Sequence, residues 1–298
     1  MTGHEIKGLF QAINVWKRGG ERAPHKPLLV LYALARLCRG ERREVPYEEV
    51  DARLGPLLEE FGPARKSYHP EYPFWRLQND GLWEIPGAER FLRRKRQTDA
   101  KKSELLKHKA VGRFTDEVYG ALHDDPKLVR EIAVDLLAGH FPDSMHDDIL
   151  DAVGLDLSRE ASERSRRDPA FREKVLVAYE YRCAVCQFDV RLQQRALGIE
   201  AAHVKWHQYG GPDVVNNGLA LCVLHHKLFD RGAFTVGLNH RVQVSELVHG
   251  TTGFDEWVLG YHEKDIAKPV NAGYAVADRY LRWHGKEVFR GCARPLSA

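Results

Sequence analysis

Near the start of the chain Ile6, Leu9, Phe10, Ile13 and Trp16 recur at the spacing of one helix face, and Gly19-Gly20 ends the pattern. Pro24-His25-Lys26-Pro27 then opens a run from Leu28 to Cys38 that is apolar on every side, which predicts a central buried helix. A third helical pattern runs from Tyr47 to Phe61. After it the spacing changes. Pro73 to Leu77, a Gln78-Asn-Asp-Gly81 turn and Leu82 to Ile85 predict a β-hairpin. Three helices and a hairpin predict a winged-helix-like module over residues 1–87.

Helical spacing returns from Lys127 to His140 and from Asp147 to Val153, interrupted at Phe141-Pro142. Asp168-Pro169 forms an N-cap and a first-turn proline, and the helix it starts runs through Phe171, Val175, Leu176 and Tyr179 toward Cys183. Further on, a Gly237-to-His240 turn separates two strands, with helices around Phe254–Lys264 and Asp278–Phe289. Trp257, Tyr261, Tyr280 and Trp283 are expected as core or dimer surface. The pattern as a whole predicts an α+β chain in three parts: the winged-helix-like module over 1–87, a helical connector over 88–165, and a third part over 166–298.

Composition sharpens this division. At roughly 100–200 residues per domain, 298 residues predict more than one domain, and 43% apolar content is enough for each to bury a core. No stretch approaches the ~18 consecutive apolar residues of a membrane span. The amino terminus lacks the basic-then-apolar pattern of a signal peptide, which points to a cytoplasmic protein. There a count of 5 cysteines argues for chemistry other than a disulfide framework. Lys and Arg exceed Asp and Glu by only 45 to 42, yet the charge is not spread evenly. Lys and Arg dominate from Arg90 to Lys109, opposed only by Asp99 and Glu104, and a second run of arginines lies between Arg159 and Arg172. The first run is expected as a solvated helix face; the alternative is a surface that contacts nucleic-acid phosphates, which predicts strongly salt-dependent binding.

The third part carries the densest chemistry. Cys183-x-x-Cys186 lets two thiolates point at one ion, and Cys222-x-x-His225 repeats the spacing. Alone, a C-x-x-C pair is equally a pair of buried thiols or a redox pair; the second half-site completes a tetrahedral shell of three sulfurs and one imidazole, the pattern of structural zinc. His226 and Asp230 are four apart, one helix face, and can share a second metal ion. His203 ends the strand-like Gly198-to-Val204 segment, and Asn217 sits in the turn before the next strand.

With these residues in this order, residues 180–236 resemble the HNH endonucleases. Glu-Ala-Ala-His203 matches the first His motif, Asn217-Gly-Leu the Asn motif, and Cys222-x-x-His-His226-x-x-x-Asp230-Arg-Gly the second His motif. The resemblance implies a ββα-metal nuclease domain. In it His203 activates water as general base, Asn217 holds the first-motif loop, and His226 and Asp230 bind a catalytic divalent ion such as Mg²⁺ or Mn²⁺. Many members carry Asp or His just before the base as a further ligand. This chain has Ala202 there, with Glu200 two residues back on the same strand face.

The amino-terminal part resembles the sulfur-binding domain of McrA-type restriction endonucleases, which cut phosphorothioate-modified DNA. Ala23-Pro24-His25-Lys26-Pro27-Leu-Leu and Tyr68-His69-Pro70-Glu71-Tyr72-Pro73-Phe74-Trp75-Arg76-Leu77 carry that resemblance. A backbone sulfur is larger, softer and less hydrated than oxygen, so its reader needs rigid apolar surface beside donors for the remaining oxygens. Tyr72 and Pro73 offer the first; His25, Lys26 and Arg76 offer the second, with helix-terminal N–H groups favouring phosphate. Arg22, Tyr68 and His69 are further candidates for backbone contacts. Together the two resemblances imply a type IV restriction endonuclease acting on double-stranded DNA. It would hold structural Zn²⁺ and work as a homodimer, because one HNH site cuts one strand. The competing expectations are a reader of another modification, such as methylcytosine flipped into an aromatic pocket, and a zinc-stabilised DNA-binding protein that does not cut.

Overall fold

Residues 1–15, 23–63, 65–94, 98–157 and 169–295 are described by the structure, a computed structural model. Trp16, Gly19-Gly20, Arg22, Asp168 and the arginines before Pro169 lie outside the described residues, so those expectations find no test in it. Chain contacts divide the molecule into two units, Met1–Ser162 and Glu163–Ala298.

In the first unit α1 (Gly3–Gln11) starts at a capping box closed by Thr2 and Glu5. The run that is apolar on all sides becomes α2 (His25–Cys38), buried without interruption from Pro27 to Arg36 and packed by helices from several directions. Next come β1 (Val45–Pro46) and α3 (Tyr47–Phe61), which buries one face through Tyr47, Val50, Leu54, Leu58 and Phe61. The unit continues with α4 (Glu71–Arg76), β2 (Trp83–Glu84), α5 (Lys102–Lys107), β3 (Val111–Phe114), α6 (Asp116–Asp124), α7 (Pro126–His140) and α8 (His146–Val153). β3 lies between β1 and β2, antiparallel to both, with Val45 opposite Gly112 and Trp83 opposite Phe114.

Three expectations are corrected here. Pro73–Leu77 is not a strand: it is α4 continued by a 3-10 turn over Leu77–Asp80. A short apolar run does not distinguish strand from helix by its spacing. What decides is Phe74, whose ring meets Tyr47 at 5.0 Å and Trp83 at 6.1 Å, edge to face. Gly81 adopts the left-handed φ of 75° that Asp-Gly favours, but it closes the 3-10 turn. Trp83–Glu84 then pairs with the distant Arg113–Phe114 and not across the turn. Second, residues 88–157 are no separate connector. They supply the middle strand of this sheet, and α7 packs on α1 and α2, so they complete the first unit's core. Third, the basic run is not one helix face. Among its described residues only Lys102–Lys107 is α-helical, Arg90 ends a 3-10 turn, and Arg93 bridges Ala100 in antiparallel fashion, with residues 95–97 outside the described set.

In the second unit α9 (Pro169–Ala178) packs on a two-stranded ladder of β6 (Ile199–His203) and β7 (Gly218–Cys222). A short hairpin, β4 (Arg191–Leu192) with β5 (Arg195–Ala196), precedes them. The β6–β7 register runs from Ile199 opposite Cys222 to His203 opposite Gly218. α10 (Val223–Asp230) follows β7 directly and packs on both strands. β8 (Phe234–Val236), β9 (Val242–Val244), α11 (Phe254–Trp257) and α12 (Asp278–Glu287) complete the unit. Tyr280 and Trp283 are buried, whereas Trp257 is exposed. No helix among the described residues is long and apolar enough to cross a membrane.

Candidate functional site

The two half-sites expected to hold zinc meet. Cys183, Cys186, Cys222 and His225 place four ligand atoms within 4.8 Å of one another, and no other such group of three or more occurs among the described residues. Cys186 and Cys222 sulfurs stand 3.9 Å apart, close to the roughly 3.8 Å edge of a tetrahedron with ~2.3 Å Zn–S bonds. His225 Nδ1 lies 3.7 Å from the Cys183 sulfur and 3.2 Å from that of Cys222. Its Nε2 donates to the Trp257 carbonyl at 3.1 Å, which turns Nδ1 toward the sulfurs as the nitrogen that would meet a metal ion. Hydrogen bonds from Cys186 and Cys222 draw the Cys183 thiol well below its usual range, against burial, toward the thiolate a metal requires. All five cysteines are unpaired thiols, and Cys38 and Cys292 stand apart from this cluster on the surface. The donor set and its spacing fit zinc.

Beside this cluster β6, β7 and α10 carry the HNH residues. His203 closes β6, its ring stacked on Phe171 of α9 at 4.0 Å between centroids. Its Nε2 lies 2.7 Å from Asp213 Oδ1. Asn217 has no exposed surface. Its Oδ1 accepts from the Lys205 N–H at 2.8 Å, while Nδ2 donates to the carbonyls of Lys205 at 2.9 Å and Pro212 at 3.0 Å. One side chain thus pins both ends of the loop between the strands. One helical turn apart on α10, His226 Nε2 lies 3.1 Å from Asp230 Oδ2, and both side chains are buried. Glu200 does lie on the face that Ala202 shares, and its Oε2 reaches Nδ1 of His226 at 2.6 Å, on the ring edge opposite Asp230. Burial alone would lower the His226 pKa; Asp230 and then Glu200 outweigh it and hold it at about 9. An imidazole and a carboxylate on one face offer nitrogen and oxygen donors suited to a hard divalent ion.

In the first unit the expected DNA-contacting residues separate into two groups. His25, at the start of α2, is drawn together with Arg65, His69 and Arg76. Burial, then these three charges, push its pKa down to about 4. Lys26 turns elsewhere, its Nζ 2.5 Å from Asp80. Tyr72 lies on α4 with two guanidinium groups over its ring, that of Arg76 at 4.7 Å and that of Arg94 at 4.9 Å from its centre, and with the His69 ring 4.9 Å away. Pro73 is buried beside it. Arg76 grips buried Asp99 with two bonds of 2.7 and 2.8 Å, and Arg94 reaches buried Glu71 at 2.9 Å. Burial of the two carboxylates makes these ion pairs directional supports for the half-buried Tyr72 and the guanidinium groups beside it.

Several members of these sites escaped the sequence reading. Asp213 and Phe171 touch His203 but belong to no motif quoted above. A polar residue closing a Gly210-Gly211-Pro212 turn between the two motifs was the available signal for Asp213. In the sequence Asp99 is an opposing charge within a basic run; its burial identifies it as the anchor of Arg76.

The model of the ScoMcrA-like DNA sulfur-binding domain matches residues 4–158, and that of an HNH endonuclease matches residues 183–237. Among solved structures, the sulfur-binding domain of ScoMcrA complexed with phosphorothioated DNA is similar at 23% identity and a TM-score of 0.45, over 50% of this chain and 94% of that one. The sulfur-binding domain of SprMcrA complexed with phosphorothioated DNA gives 20% identity and a TM-score of 0.44, over 52% of this chain and 95% of that one. The type IV phosphorothioation-dependent restriction endonuclease ScoMcrA gives 22% identity and a TM-score of 0.43, and this chain spans 32% of its length. No curated protein matches the chain. More than half of the sequence, from residue 4 to residue 158, fits the first model, and the second covers the strands and helix that carry His203, Asn217, His226 and Asp230. The chain therefore belongs to the ScoMcrA-like DNA sulfur-binding domain family, and it is a DNA endonuclease of the HNH kind.

Proposed function

We propose that this chain is a modification-dependent restriction endonuclease: its first unit binds double-stranded DNA at a backbone phosphorothioate, and its second hydrolyses a phosphodiester nearby by a one-metal HNH mechanism. The observation that carries this reading is the joining, in one chain, of a DNA sulfur-binding domain match to an HNH match. We read the first unit as winged-helix-like, with the β1–β3–β2 sheet as its wing, and β6, β7 and α10 as a ββα-metal motif.

In the first unit Tyr72 and Pro73 give sulfur a rigid apolar surface that water solvates poorly. Around them His25 and Arg76 give donors to the remaining oxygens, Arg94 adds a second charge over the Tyr72 ring, and Lys26, paired with Asp80, would reach phosphate only by leaving that carboxylate. In the second unit His203 takes a proton from water as the water oxygen attacks phosphorus. Asn217 keeps the loop after His203 in place. His226 and Asp230 would hold the divalent ion, which when bound supplies positive charge to the scissile phosphate and the departing 3′ oxygen. Cys183, Cys186, Cys222 and His225 would hold zinc as a closed structural shell. One such site cuts one strand, so cutting both strands calls for two copies. Light scattering on DNA should give a dimer, and a monomer that cuts both strands removes that step.

The experiment compares matched duplexes with and without one phosphorothioate, for binding and for cleavage in several divalent ions. The modified duplex should bind more tightly and be cut preferentially; equal affinity for both overturns the sulfur reading. His203→Ala should retain binding and lose cleavage by about 10²–10⁴-fold, and undiminished cutting removes His203 from the mechanism.

A further inference from the structure

The loop that leaves β6 at His203 returns to touch the same residue. Asp213, near its far end, places Oδ1 2.7 Å from His203 Nε2, with the His203 side chain 11% exposed and that of Asp213 31% exposed. Phe171 fixes the plane of the imidazole by stacking at 4.0 Å and 16°, and the carboxylate fixes its rotation within that plane.

The carboxylate is itself held from behind. Asn217 Nδ2 donates to the carbonyl of Pro212, the residue before Asp213, at 3.0 Å. The Gly211 N–H donates to the Trp206 carbonyl at 3.0 Å, folding the loop back on itself. A Cβ at position 211 would lie 1.7 Å from the Lys205 carbonyl oxygen, so only glycine permits that fold. Asp213 also belongs to no cluster of three or more potential metal ligands among the described residues.

We propose that Asp213 is the positioning residue for His203, its carboxylate fixing the ring and the tautomer that carries the proton on Nε2, so that Nδ1 is the basic nitrogen. A carboxylate only accepts, so the bond at Nε2 requires the proton there. When Nδ1 takes a proton from water, the imidazolium that forms lies against a fixed negative charge. Asp213 touches neither water nor phosphate in this role. The inference rests on His203 being the general base.

The test uses the full-length protein with phosphorothioate duplex. Asp213→Asn should lower kcat by on the order of 10²-fold or more, as expected when a carboxylate orienting a catalytic imidazole becomes an amide, while Kd for the duplex and the thermal midpoint stay unchanged. Asp213→Glu should recover part of the loss, because it restores the acceptor. In protein labelled with ¹⁵N in histidine that keeps its structural zinc but is given no catalytic divalent ion, the signal absent from His203→Ala should report Nε2–H in the wild type and a mixture of tautomers in Asp213→Asn. Wild-type kcat in Asp213→Asn, or an unaltered tautomer, overturns the assignment of Asp213. Full cleavage by His203→Ala instead overturns the general-base reading itself, so the two failures are distinguishable.

Discussion

His25 illustrates how far a single residue departs from its usual chemistry when neighbours crowd it. Burial and the charges of Arg65, His69 and Arg76 lower its pKa from 6.5 to about 4, so it is neutral above pH 6 and offers one N–H to a phosphate. The folded value lies below the unfolded one, so the folded state binds fewer protons between them. The associated stability is complete above about pH 6.5 and is lost as pH falls toward about 4. His25→Gln should therefore flatten the fall of the first unit's thermal midpoint over that window; an unchanged slope excludes His25 as its source. The sequence disclosed His25 through its place before Pro27, but the arginines that set its charge state come from separate parts of the chain. Asp99 repeats the lesson from the opposite side. Its carboxyl is held below the usual range by Arg76 first, against burial, a relation that the basic run around it concealed.

At the scale of elements, those with strong local signals were legible and those defined by distant partners were not. α3 spans Tyr47–Phe61 as its apolar spacing predicts, and α2 is buried all round as a run without a polar face requires. The expected hairpin failed because its second strand takes β3 as partner, a choice made by Trp83 lodging edge-on against Phe114 at 5.6 Å. The loop between β6 and β7 is likewise tertiary in origin. Gly211→Ala should cost about 1–3 kcal/mol as the loop is forced off the Lys205 carbonyl. Cleavage should fall with duplex binding retained, as measured by melting and by Kd. In the first unit, Asp99→Ala should release Arg76 and weaken phosphorothioate binding by roughly tenfold, the scale of one charge-assisted hydrogen bond. Unchanged affinity in that variant would show that Arg76 needs no such support.

For the whole molecule, binding and cutting are assigned to two units with separate cores. Loss of zinc should then strike one and spare the other. Cys222→Ser, or a strong chelator, should unfold the second unit and abolish cleavage, while the first unit's thermal transition and its duplex binding persist. Metal analysis of the wild type should find about one zinc per chain retained through dialysis; a metal-free protein with two intact transitions would contradict the structural role. Calorimetry with parallel binding measurements reads both outcomes.

What the sequence determined by itself was whatever its spacing brings together: two C-x-x ligand pairs, a His and an Asp one helical turn apart, and a central helix with no polar face. These are short-range relations, and backbone geometry converts them into contacts almost regardless of context. Only the tertiary structure decided which distant groups complete each site: Asp213 and Phe171 at His203, Glu200 at His226, and Asp99 and Arg94 around Arg76 and Tyr72. It also decided that residues 88–157 finish the first unit's sheet and core. The reason is physical. A buried charge must find its partner and a strand its ladder wherever packing closes the space, and no local pattern records where that will be.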